Sequence, residues 1–129
     1  MSAVDNHLAR ARAELDRVDP VTAATLSDAV FIDIRPLVNR EAEGEIPDSI
    51  PVERIHLEWR LDPGGDDRMP GFTADSTVIV FCNEGYASSL AARDLKRLGL
   101  DNATDLVGGF RAWAEAGLPV REGGSPAIP

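Results

Sequence analysis

Val78-Ile79-Val80-Phe81-Cys82-Asn83-Glu84-Gly85-Tyr86-Ala87-Ser88 is the stretch that decides how this chain folds. Its first four residues are apolar and mostly β-branched, and the run is short enough for a buried strand. A polar loop with one glycine follows. From Ser88 the residues favour helix, with Ala91, Leu95 and Leu98 as a buried stripe and Gly99 at the stop. The segment predicts strand, tight loop, helix, with the Cys82 thiol where strand becomes loop. Such a loop can aim backbone N–H groups at one point, and the helix behind it adds the positive end of its dipole. That setting favours the thiolate, the reactive form of cysteine. A free cysteine is equally at home as a small buried hydrophobe, so position alone leaves both readings open.

The same alternation extends to either side. Val30–Ile34 reads as a buried strand that Arg35-Pro36 ends, Ile50–Val52 as a short strand, and Ala103–Leu106 as another. Residues 3–17 predict a helix with Leu8, Ala11 and Leu15 near one face. Asp19 and Pro20 start a second, short helix as cap and first residue. Residues 54–61 suit a short helix with Ile55, Leu57 or Glu58, and Leu61 partly toward the core. Gly108-Gly109 precedes a last helix over 110–116, closed by Gly117 and Pro119. Residues 36–49 are expected to be mostly loop with room for one helical turn, 62–71 a loop, and 123–129 a frayed tail. Trp59 and Trp113 are expected to anchor the core.

Strands that alternate with helices predict an α/β domain with a mainly parallel sheet covered on both faces. Ligand sites in such sheets lie beyond the carboxyl ends of the strands. Cys82 lies at one such end, and Asp33 and Arg35 lie at another. Two residues apart on a strand, Asp33 and Arg35 point to one face. A paired, structural role that braces neighbouring loops is expected of them.

The chain has 129 residues, one domain's worth, with 43% hydrophobic and 27% charged residues. A net charge of −9 argues against nucleic acid or an anionic membrane as partner, and any anion site must be locally positive. A single cysteine excludes an internal disulfide and any multi-cysteine metal site, and it suggests a reducing, cytoplasmic setting. His7 and His56 have no metal-ligand partner at a useful spacing. No run is apolar enough to span a membrane. The expected organisation is a helical extension over 1–17, a domain over 18–121 and a flexible tail over 122–129.

Four segments together resemble the rhodanese-like sulfurtransferase family. Val30-Phe31-Ile32-Asp33-Ile34-Arg35-Pro36 is similar to its strand ending in Asp-x-Arg. Gly44-Glu45-Ile46-Pro47-Asp48-Ser49-Ile50 is similar to its Gly-His-Ile-Pro-Gly-Ala segment, with Glu45 and Asp48 as departures. Val78–Ser89 resembles its active-site strand and loop. Leu106-Val107-Gly108-Gly109-Phe110-Arg111-Ala112-Trp113 resembles its Gly-Gly-x-x-x-Trp signature. The order of the four segments carries the match, since none is specific alone.

The resemblance implies a three-layer domain with a mainly parallel five-stranded sheet and helices on both faces. It also implies a sulfurtransferase that needs no metal or organic cofactor. Cys82 would take the outer sulfur of a thiosulfate or organic persulfide donor and pass it to a thiol or cyanide acceptor, with a protein thiol as a further acceptor. Loop residues Asn83, Glu84, Gly85, Tyr86, Ala87 and Ser88 would bind the substrate, chiefly through backbone N–H groups in a nest. Ser88 would cap the helix or reach the sulfur. Tyr86 would wall the pocket or pack on it. Members that use thiosulfate carry a Cys-Arg-x-Gly-x-Arg loop. Here Asn83 and Ala87 replace both arginines and Glu84 adds negative charge, so Arg54, Arg60 and Arg111 are the candidate cations from outside the loop.

Two other readings compete. A phosphatase of related fold wants an arginine six residues after the cysteine, where this chain has Ser88. A non-catalytic binding or redox-sensing module would suit the uncharged loop, and with one cysteine it would need an external resolving thiol.

Overall fold

The computed structural model describes residues 2–129. In chain order the elements are helices α1 (Ala3–Arg12) and α2 (Pro20–Ala23), strand β1 (Val30–Asp33), helix α3 (Leu37–Glu43) and strand β2 (Ile50–Pro51). A 3-10 turn (Arg54–His56), helix α4 (Leu57–Leu61), strand β3 (Val78–Phe81), helix α5 (Ala87–Arg97), strand β4 (Ala103–Asp105) and helix α6 (Gly109–Glu115) follow. The sheet runs β2-β1-β3-β4, and every pair in it is parallel. Asp33 pairs with Phe81, and Val80 with Asp105, so the ends of β1, β3 and β4 open on one rim.

Side chains alternate across the sheet, which gives the fold two cores. Val78 and Val80 join Ile32, Leu57, Leu61, Ala91 and Leu95 on one side. Ile79 and Phe81 join Ala23, Leu106, Phe110 and Trp113 on the other. A parallel sheet buried on both faces explains why β3 is apolar at every position.

The sheet has four strands rather than the expected five. The fifth position, beside β4, shrinks to a single bridge at Val18. Its N–H donates to the Asp105 carbonyl and its carbonyl accepts from Val107 N–H. Asp19 and Pro20 cut the strand short. The Asp19 carboxylate already caps α2 by accepting from Thr22 N–H at 2.8 Å, and proline has no N–H for a ladder.

Other departures have local causes. α1 stops at Arg12, short of residue 17, and the chain then turns so that Leu15 is buried and Arg17 reaches Asp105. Residues 37–43 form a seven-residue helix where mostly loop with at most a helical turn was expected. Trp59 is 62% exposed and Ile55 71% exposed, whereas Leu57 and Leu61 are fully buried. In so short a helix the pair four apart takes the core face, and a residue two positions on points away from it. Leu98 caps α5 and is half exposed. Trp113 is buried, with its indole N–H on the Pro119 carbonyl. Residues 122–129, expected as a frayed tail, lie along the body. Ser125 donates to Glu45, Ile128 bridges to Val52, and Arg60 donates to the Pro129 carbonyl. No helix among the described residues is long and apolar enough to cross a membrane.

Candidate active site

Cys82 follows β3 directly and is half-buried. Its Sγ accepts the N–H of Gly85 at 3.2 Å. That turn needs Gly85 at φ +86°, and a Cβ there would sit 2.8 Å from the Gly108 nitrogen. The Gly108-Gly109 turn packs just as tightly from the other side. A Cβ on Gly109 would lie 2.5 Å from the Cys82 carbonyl oxygen.

The carbonyl side of the loop is held from behind. Phe110 N–H donates to the Cys82 carbonyl at 2.8 Å, and Arg111 N–H to the Asn83 carbonyl at 3.0 Å. The Gly85 carbonyl accepts from two guanidinium groups, Arg12 at 2.7 Å and Arg17 at 3.1 Å. A planar trans peptide points its N–H opposite its C=O. Holding these three carbonyls therefore turns the N–H groups of Asn83, Glu84 and Tyr86 the other way. Together with those of Ala87 and Ser88, they meet no acceptor among the described residues. Free amides clustered in one loop suit an anion.

The side chains sort differently. Asn83 is pinned, its Oδ1 accepting from Arg35 at 3.2 Å and its Nδ2 donating to Glu43 at 2.7 Å. Glu84 is exposed, 3.3 Å from Arg111. Tyr86 is 60% exposed, with the Arg12 guanidinium 5.8 Å from its ring centre. Ala87 opens α5 and is exposed. Ser88 neither caps that helix nor reaches the sulfur. It is buried and donates to Asp105 at 2.8 Å, as Ser89 does.

Asp33 and Arg35 form a fork, with Nε to Oδ1 at 3.0 Å and Nη2 to Oδ2 at 2.8 Å. Arg35 also donates to the Gly44 carbonyl and lies 4.0 Å from the Phe110 ring centre. All its charge is spent inside the protein. The three outer arginines are also engaged: Arg54 with Glu58 and Asp94, Arg60 with backbone carbonyls, Arg111 with Glu43 and Glu84. Hydrogen bonds from Arg111 and then Asn83 hold Glu43 below the ordinary carboxylate value of 4.5. A cleft of about 250 Å³ opens beside the site, lined by Ile34, Arg35, Pro36, Leu37, Glu53, Arg54 and Ile55. Cys82 lies outside it. Among the described residues, no three His, Cys, Asp or Glu side chains gather as metal ligands.

Sequence reading missed Asp105, Arg12 and Arg17. Asp105 is fully buried at the end of β4. Arg17 grips it with two bonds of 2.8 and 3.1 Å, while Ser88 and Ser89 donate to its Oδ2. The available signal was an aspartate ending an otherwise buried strand, which demands a cationic partner.

The model of the Rhodanese-like domain family matches residues 16–116. A curated sulfurtransferase of Allochromatium vinosum is 33% identical over 97 residues, covering 75% of this chain and 82% of that one. The adenylyltransferase and sulfurtransferase MOCS3 of Arabidopsis thaliana is 30% identical over 93 residues, which span 66% of this chain but only 20% of that protein. A solved structure from Rhodopseudomonas palustris, described as a protein of unknown function and possible tyrosine phosphatase, superposes with a TM-score of 0.83. It is 29% identical and covers 94% of this chain and 96% of that one. Matched by that model over residues 16–116, this chain belongs to the rhodanese-like domain family.

Proposed function

We propose that this protein is a sulfurtransferase that carries sulfane sulfur on Cys82 as a persulfide. The observation that carries the reading is the loop itself. One half-buried thiol accepts the Gly85 N–H, and five further amides around it stand free for negative charge. Its curated relatives named as sulfurtransferases support the same chemistry.

In the first step the Cys82 thiolate attacks the outer sulfur of the donor. A Cys82 S–S bond forms, the donor's S–S bond breaks, and the donor leaves as a thiolate, or as sulfite from thiosulfate. In the second step an acceptor thiolate or cyanide takes the terminal sulfur and restores the Cys82 thiolate. Each step is a displacement with its electron pair accounted for, and no outside oxidant is consumed. Backbone amides can hold the anion at every stage, because thiolate, persulfide and oxyanion each need donors at the same place.

The donor we favour is a small organic persulfide rather than thiosulfate. A dianion would approach a loop whose cation positions are Asn83 and Ala87, past the exposed Glu84, while Arg111 is shared between two glutamates. A phosphatase would need a guanidinium where Ser88 is buried against Asp105.

The test is to incubate the protein with thiosulfate and, separately, with a small organic persulfide, and then to take an intact mass. We expect one added sulfur, absent in Cys82→Ser and gained faster from the persulfide. A folded protein that gains sulfur from neither donor fits the non-catalytic reading and overturns this one.

A further inference from the structure

We infer that Arg12 and Arg17 are positioning residues that supply from behind the positive charge the cysteine loop lacks at its front. The inference builds on the sulfur-carrier reading, but only for the identity of the anion. Both guanidinium groups donate to the Gly85 carbonyl, at 2.7 and 3.1 Å. The Gly85–Tyr86 peptide is thereby fixed in orientation, and its C=O is pulled toward the N-terminal segment. The Tyr86 N–H then points away from that segment, in the loop whose Gly85 N–H already meets the sulfur. Two cations on the carbonyl also polarise the peptide, which makes this N–H a stronger donor, since bonds in a chain reinforce one another.

The arrangement is braced against drift. Arg17 is locked by two bonds to buried Asp105, and Arg12 by a bond from Nε to Ser89 Oγ at 3.1 Å. Ser89 in turn donates to Asp105. Arg12 also covers Tyr86 through a cation–π contact. Neither arginine contacts Cys82 Sγ, so the pair favours the bound anion without offering a direct partner to a dianionic donor. Arg12 lies outside the part of the chain that matches the family model, which begins at residue 16. The extension is therefore a working part of the site.

Two measurements test this, one of which needs no sulfur donor. The first is the rate of Cys82 alkylation by iodoacetamide. The second is single-turnover sulfur loading from a small organic persulfide, followed by intact mass across donor concentrations. In Arg12→Gln, which leaves the Arg17–Asp105 pair intact, we expect alkylation and the saturating loading rate to fall about threefold. In Arg12→Gln/Arg17→Gln we expect about tenfold, as for a lost charged hydrogen bond. The half-saturating donor concentration should stay unchanged, because the donor is not touched. Arg12→Lys should recover at least half of the single-variant loss. Arg97→Gln, which breaks only the exposed Arg97–Glu14 pair, should match wild type. Should the double variant prove unstable, the Arg12→Gln and Arg12→Lys pair decides the matter alone. Wild-type alkylation in a folded Arg12→Gln protein overturns the inference, as does a lysine variant no better than glutamine. If no donor loads even the wild type while alkylation still follows the arginines, the sulfur reading fails and the positioning role stands.

Discussion

Two buried ion pairs flank the cysteine loop, and they differ in the chain length they span. Asp33 and Arg35 are two residues apart, and Arg35 reaches the loop through one side chain, that of Asn83. Arg17 and Asp105 are 88 positions apart, and Arg17 reaches the loop through its backbone, at the Gly85 carbonyl. The local pair can form once β1 exists and could be exchanged with modest effect on the loop. The distant pair ties the N-terminal segment, β4 and the loop into one unit. Proximity in sequence makes a pair easy to read, whereas the distant pair does more to fix the shape of the site.

The hardest blow to this contrast is Asp105→Ala. It removes at once the shared acceptor of half-buried Arg17 and buried Ser88 and Ser89, and the expected loss is about 3–5 kcal/mol, the range for breaking a buried pair. Asp33→Ala should cost less, because Arg35 keeps the Gly44 carbonyl and Asn83. Urea melts of both variants rank them, and an Asp33 variant at least as damaged as the Asp105 one would erase the distinction. Next comes Asn83→Ala, which cuts the local pair from the loop. We expect about 0.5–1.5 kcal/mol, the net worth of an ordinary hydrogen bond, with sulfur loading reduced less than in Arg12→Gln. A larger loading defect would move control of the loop to the Arg35 flank.

The smallest effect is on pH. Glu43, on the Arg35 flank, has a folded value held below 4.5 by Arg111 and Asn83. Its contribution is full above that ordinary value and is lost as pH falls through the lowered one. Since Glu43 is partly exposed, the amount is under about 1 kcal/mol. Glu43→Gln should flatten the acid limb of the stability profile slightly, and an unchanged limb would remove Glu43 from the account.

The strand-loop-helix around Cys82 was legible because one glycine separates an apolar run from a helical stripe. Asp33 and Arg35 were legible because strand periodicity places them on one face. Helix α3 was not, since Asn39 and three charged residues mask a helix that relies on the protein around it. Trp59 misled because size suggests burial, whereas the face of a five-residue helix is set by Leu57 and Leu61. The missing fifth strand was hidden in Asp19-Pro20, which was read correctly as a helix start but not as the end of an edge strand. Arg12 and Arg17 could not be read at all, because nothing local links an N-terminal segment of balanced charge to a carbonyl some 70 residues on.

The three held carbonyls of the cysteine loop bear on how the site comes into being. Their donors are Arg12 and Arg17 near one end of the chain and Phe110 and Arg111 near the other. A nascent chain that has only just released Cys82 can form β3, yet its loop still lacks the Gly-Gly turn. Contacts of such long range close late, after the entropy of the intervening chain has been overcome. Local unfolding at either end would release the same carbonyls. The reactive geometry thus depends on segments on both sides of the loop, and the thiol acquires its surroundings only when folding has brought them together.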